Sequence, residues 1–213
     1  MATYKFDIRF KTRVDKTPRV LEVAEAFGIG LSDTEFVIYD NFELTVEDKD
    51  VVYITGQSGS GKSLLLKALA KKMEDDQRVV ARLEDIVLED VPVIDQVGST
   101  FSEGLDFLAK AGVSDAFLYV RKPSELSDGQ RYRVKLAKLI ESRAEVWVAD
   151  EFGAVLDRVT AQTIAYNMSR TARRAGASLI VATTHVDLVE ELGPDLIVTK
   201  HYRERIKVEY PNV

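Results

Sequence analysis

The sequence predicts an α/β fold with a mostly parallel core sheet, and three observations predict it. Short apolar runs recur without alternation: VVYIT at 51–55, VWVAD at 146–150 and SLIVATT at 178–184. Such runs mark strands buried on both faces. Helical patterns lie between them, at Leu64–Met73, Glu103–Gly112, Gln130–Ser142 and Thr160–Gly176. Strand and helix alternating in this way imply parallel strands joined by crossover helices. The third observation sets the beginning apart. YKFDIRF at 4–10 alternates strictly, with Tyr4, Phe6, Ile8 and Phe10 on one side. That is a half-buried strand, expected to be antiparallel.

The remaining elements follow in order. Thr17-Pro18 opens a short helix that ends near Gly28, with proline in the first turn and glycine past the end. FVIYDNFELTVEDKD at 36–50 is β-rich and expected to break at an Asp-Asn turn. VVARLED at 79–85 is a further strand candidate, and LIVTKHYRERIKVEY at the end reads as a hairpin turning near Arg203-Glu204.

Composition narrows the function classes. The 213 residues are 46% hydrophobic and 30% charged, the profile of a soluble globular domain. No apolar run approaches the roughly 18 residues of a membrane span. The first residues, MATYKFDIRFKTR, do not form a signal peptide, so cytoplasmic localisation without direct membrane insertion is expected. Absence of cysteine excludes disulfides and thiolate metal sites. A net charge of −6 speaks against a protein that coats nucleic acid. Basic stretches at Lys5–Arg19 and Arg121–Arg143, and an acidic one at Glu74–Asp106, read as solvated faces, with a contact surface for an anionic partner as the alternative.

The chemistry enters with GQSGSGKS, Gly56 to Ser63, which fits the phosphate-binding pattern G-x-x-x-x-G-K-[ST]. A buried strand precedes it and a helix follows, as the pattern requires. Gly56, Gly59 and Gly61 can take positive φ and leave room for phosphates. The loop amides, including those of Ser58, Ser60 and Leu64, then form an anion nest at a helix N-terminus. Lys62 is a point charge for the β/γ oxygens, and the Ser63 hydroxyl is placed for Mg²⁺. In VWVADE, two carboxylates stand at the C-terminal end of a core strand, where open α/β sheets place ligands. Asp150 is read as a Mg²⁺ holder and Glu151 as the general base. His185, ending SLIVATTH, could reach the γ-phosphate or the catalytic carboxylate; taken alone it reads as a solvated loop histidine.

In this order, the pieces resemble the ATP-binding cassette (ABC) ATPases from about residue 36 to the end. GQSGSGKS and VWVADE resemble the family's two nucleotide motifs, and LSDGQ at 126–130 resembles its signature LSGGQ. The resemblance implies further roles. Gln96, in VIDQVGS, takes the place of the glutamine that touches Mg²⁺ and the attacking water. GAVLD at 153–157, ending in Asp157, is similar to the loop after the catalytic glutamate, and His185 is the switch histidine. Ser127, Gly129 and Gln130 would serve the ATP held by a second copy in a head-to-tail homodimer. The implied fold is one P-loop NTPase domain of ABC type over 1–213. It has an N-terminal antiparallel β-subdomain and a short inserted helical subdomain at about 97–140. Asp128 departs from the pattern by replacing the first signature glycine, and Phe27 and Phe36 are the candidates for stacking on adenine.

The expected function is Mg²⁺-dependent ATP hydrolysis. The short helical insertion favours a soluble, non-transporter switch acting on a protein or nucleic-acid partner. The alternative is the energy-coupling ATPase subunit of a membrane transporter. A phosphate-loop kinase gives no reason for LSDGQ, while a nucleotide-binding module without turnover stays open if Asp128 spoils the composite site.

Overall fold

The computed structural model describes residues 1–202 and 206–211. Two compact units divide the chain, one of residues 3–44 and one of residues 45–213 together with the first two.

In the smaller unit, β1 (Ala2–Thr12) pairs with β2 (Thr34–Val46) around helix α1 (Pro18–Phe27) in sequence. The alternation of β1 places Tyr4 and Phe6 in the interior, while Phe10 stands exposed near the strand's end. Thr17 caps α1 by accepting from the Val20 amide, and Gly28 closes it in the left-handed region at φ 62°. The Asp40-Asn41 break expected in the next segment does not occur. β2 runs through it, with Asn41 alone at φ 45°. Asparagine tolerates that region as a single residue, so the strand kinks without stopping.

The larger unit holds a six-stranded sheet. Its order is β4 (Val80–Arg82), β5 (Val146–Ala149), β6 (Ser178–Thr183), β3 (Val51–Thr55), β7 (Leu196–Thr199), β8 (Lys207–Glu209). The pairs from β4 through β7 are parallel; β7 and β8 are antiparallel. Every residue of β3, β5 and β6 is buried, which is why these strands read as unbroken apolar runs. The VVARLED candidate yields only three strand residues before a 3₁₀ turn at Leu83–Asp85, because β4 is the edge of the sheet. The C-terminal hairpin pairs as expected; its Arg203-Glu204 turn lies outside the described residues.

Helix α2 (Lys62–Asp75) follows β3. Helices α3 (Phe101–Lys110), α4 (Ala116–Tyr119) and α5 (Asp128–Glu141) stand between β4 and β5. Helix α6 (Arg158–Ala175) crosses from β5 to β6, and the single turn α7 (Val189–Leu192) leads to β7. Trp147, Leu108, Leu136, Leu139 and Met168 share one core beneath these helices. Among the described residues no helix is long and apolar enough to cross a membrane.

Candidate functional site at the carboxyl ends of the central strands

Strands β3, β5 and β6 end at one edge of the sheet, in parallel register: Thr55 stands opposite Thr183, and Ala149 opposite Val181. The chain leaves β3 through Gly56 at φ 136°. A Cβ there would lie 1.9 Å from the Lys200 carbonyl oxygen. Gly56 is therefore required by the strand β7 side of the loop, not by phosphate approach as the motif alone suggests. Gly61, at φ 102°, is the N-cap of α2 and offers no side-chain cap to it. The Leu64 and Leu65 amides donate to the Gly61 carbonyl, and those of Lys62 and Ser63 are left for something else. Buried Leu65, Leu66, Leu69 and Met73 fix the helix against the sheet.

Lys62 folds back over the loop. Its ammonium donates to the Gly56 carbonyl at 2.9 Å and to the Gln57 carbonyl at 2.7 Å. Only 8% of the residue is exposed. Burial lowers its pKa from the ordinary lysine value, while the Asp150 and Glu151 carboxylates raise it. A buried ammonium held by neutral carbonyls is short of counter-charge, and a phosphate oxygen supplies it. Ser63 Oγ donates to Asp150 Oδ1 at 2.9 Å, and the Glu151 amide donates to the same oxygen at 3.0 Å. A hydroxyl and a carboxylate side by side are hard oxygen donors of the kind Mg²⁺ takes alongside phosphates. The residues present therefore fit that ion.

Glu151 follows with φ 49°, exposed to solvent. A non-glycine residue in that region is uncommon and costs about 1–2 kcal/mol. Its neighbour Phe152 is fully buried and donates its amide to the Ala182 carbonyl at 2.9 Å. The turn is thereby pinned with the glutamate facing out.

These residues line a cavity of about 550 Å³, inside the roughly 300–1,000 Å³ range of small-molecule sites. Ser58, Gly59, Gly61, Lys62, Ser63, Leu64, Asp150 and Glu151 meet there, as the motifs predict. Ser60 sits beside them with its hydroxyl buried and without a partner among the described residues. The Thr183 and Thr184 walls were not foreseen. Their signal was the polar end of SLIVATT, which reads only as the end of a strand. A second hollow of about 530 Å³, with Trp147 and Phe107 in its lining, has neither phosphate loop nor strand-end carboxylates.

Other predicted residues stand outside the cavity lining. Gln96 is occupied elsewhere: its amide nitrogen donates to the Glu89 and Val91 carbonyls, and its Oε1 accepts from the Glu89 amide. His185 donates its backbone amide to Thr183 Oγ1, and its carbonyl accepts from the Tyr53 hydroxyl. Ser127 caps α5 by accepting from the Gln130 amide, and Gln130 Oε1 accepts from the Ser127 amide. Asp128 pairs with Arg131. Asp157 caps α6, taking hydrogen bonds from the Thr160 hydroxyl and amide. Those bonds, the hydroxyl's first, hold its carboxyl below the usual range. Phe27 and Phe36, the candidates for stacking on adenine, are both on the surface.

The sequence profile of the ABC transporter family matches residues 39–105. The chain is 28% identical over 195 residues to the cytochrome c biogenesis ATP-binding export protein of Tatumella citrea, covering 78% of this chain and 90% of the relative. A 223-residue alignment with the lipoprotein-releasing system ATP-binding protein of Novosphingobium aromaticivorans gives 23% identity, covering 88% and 97%. In fold it is similar to an ATP-binding cassette solved as a dimer in a post-hydrolysis state with ADP and Pi. That match has a TM-score of 0.70, 15% identity and 98% coverage of each chain.

The expectation of a soluble, non-transporter switch with a protein or nucleic-acid partner is overturned by these matches. The relatives are ATP-binding proteins of export and lipoprotein-releasing systems. The strand order, the loop and the matches agree on one conclusion: the chain carries an ABC-transporter-type P-loop ATPase domain, which hydrolyses ATP.

Proposed function

We propose that this chain is the energy-coupling ATPase subunit of an ABC membrane transporter, working as a head-to-tail homodimer on a membrane-spanning permease. What supports the permease as partner is the naming of the matched relatives as ATP-binding components of export and release systems. What supports the dimer is that the related cassette was solved as one. The observation that carries the chemistry is the Ser63–Asp150 hydrogen bond beside the uncapped start of α2.

The residue roles follow from that arrangement. The free amides at the start of α2 receive phosphate oxygens. Lys62 exchanges its two carbonyl partners for β/γ oxygens. Ser63 and Asp150 hold Mg²⁺, which neutralises charge on the phosphate oxygens when bound. Glu151 accepts the proton of the attacking water. Thr183 and Thr184 line the same cavity, and His185 approaches the γ-phosphate from the end of β6. To join them, Gln96 has to release three hydrogen bonds with the 89–91 backbone.

Ser127, Gly129 and Gln130 complete the partner protomer's site, with Asp157 flanking it. Asp128 places a carboxylate next to that phosphate, and its pairing with Arg131 offsets the charge. ATP then favours the closed dimer by contacts that only the triphosphate makes, and loss of the γ-phosphate reopens it.

The test is recovery of the tagged chain from native membranes in mild detergent. A multi-spanning membrane protein recovered in fixed proportion, whose presence changes ATP turnover, is the expected result. Full turnover from a chain that binds no membrane-spanning protein contradicts the transporter reading.

A further inference from the structure

Helix α5 touches the turn that carries Glu151 at two places. At its first turn, a Cβ on Gly129 would lie 3.3 Å from both Leu156 Cδ2 and the Val155 carbonyl oxygen, so α5 begins directly against the 151–157 segment. One turn later, the Tyr132 hydroxyl accepts from the Gly153 amide at 3.0 Å. The Tyr132 ring meets the Phe152 ring edge-on at 6.5 Å between centroids. Burial pushes the Tyr132 phenol well above its ordinary pKa, so it remains neutral at any pH at which the protein works.

Glu151 holds a left-handed backbone that a non-glycine residue keeps only when its surroundings impose it. Its own backbone bonds to Asp150 and Ala154 close the turn, and two contacts from outside the turn hold the residues that follow. Phe152 is tied by its amide to Ala182 of β6, and Gly153 by its amide to Tyr132 of α5. The first is fixed to the sheet. The second moves with α5.

We propose that Tyr132 is a positioning residue for Glu151, carrying the state of the α5 N-terminus to the general base of the same chain. The inference rests on the reading above, in which Glu151 is the base and the start of α5 meets the partner protomer's nucleotide. A nucleotide that shifts Ser127 and Gly129 shifts Tyr132, and with it the turn behind Glu151. Each nucleotide is thereby sensed by the base that does not act on it, which couples the two sites of the dimer.

Tyr132→Phe tests this, because it keeps the ring and removes the hydroxyl that accepts from Gly153. Removing one partner of a buried hydrogen bond leaves the other unsatisfied. Expressed in the turn that orients the base, this lowers kcat by about tenfold or more, with KM for ATP unchanged within about twofold. In a Glu151→Gln background, Tyr132→Phe still gives the ATP-dependent dimer. In the Glu151→Gln chain, adding Mg·ATP is expected to change the hydrogen-exchange protection of the segment that holds Gly153.

A phenylalanine variant with wild-type kcat overturns the proposal, as does a fall in kcat matched by a rise in KM. Protection of the Gly153 segment that is the same with and without Mg·ATP overturns it too, and serves alone if the phenylalanine variant does not fold. If the unmodified chain shows no Mg·ATP turnover, the underlying reading has failed rather than this one.

Discussion

Two helices of this chain begin on a serine–glycine turn, and their first amides have different fates. Helix α2 starts on Gly61, which carries no cap, and no acidic residue stands in its first turn. Helix α5 starts on Ser127, which exchanges hydrogen bonds with Gln130 in a closed capping box, and has Asp128 in its first turn. Both starts carry the partial positive charge of a helix N-terminus. One is left open to an anion, with Lys62 and Ser63 beside it. The other ties up the Ser127 and Gln130 amides in its own box and sets a carboxylate against its own dipole. The first is built to hold phosphate in the free chain. The second binds only what arrives with enough energy to displace its cap, which suits a contact made on dimer closure.

Removing Lys62 breaks the first half of this contrast most severely. Lys62→Ala is expected to weaken ATP binding on the order of a hundredfold or more, since a desolvated charge partner is lost. Calorimetric titration with Mg·ATP checks it, and affinity within about threefold of wild type would mean that the bare helix start suffices.

Ser127→Arg breaks the second half. It should abolish the ATP-driven dimer and leave the monomer's nucleotide affinity within about threefold. Loss of both together would place the α5 start in the chain's own site.

The smallest effect concerns α6, whose start is capped by a carboxylate. Asp157→Ala should lower Tm by a few degrees at neutral pH. The Asp157 pKa is depressed in the folded state, so its contribution is present above the unfolded value of about 3.9 and is lost as pH falls through the folded value. The Tm difference should therefore be full at pH 6 and close in strongly acidic buffer. A difference that persists there unchanged would assign the effect to helix propensity instead of the charged cap.

Much of this site is legible in the sequence because its requirements are local. Lys62, Ser63 and the glycines before them follow from the chemistry of an anion nest, and Asp150 from the end of an apolar run. Other features depend on packing that no short pattern records. Gly56 is demanded by Lys200, which lies far away in sequence. The turn that holds Glu151 at positive φ is tied from outside by Ala182 and Tyr132. Gln96 takes its motif place in the chain, yet its amide answers the turn at 89–91. β4 is cut short because an edge strand has one neighbour, Val80 to Arg82 against β5 alone. Transporter or switch was illegible for a different reason. The length of an insertion says how much chain is present, not what it touches.

The central claim is that two copies of this chain close on ATP and that Glu151 then removes the γ-phosphate. Size-exclusion chromatography with light scattering on Glu151→Gln, in millimolar ATP and Mg²⁺, tests it most directly. The account predicts a dimer that appears with ATP, persists because turnover falls by about 10²–10⁴, and is absent with ADP. A Glu151→Gln protein that remains monomeric with ATP, or that releases phosphate at the unmodified rate, would contradict it.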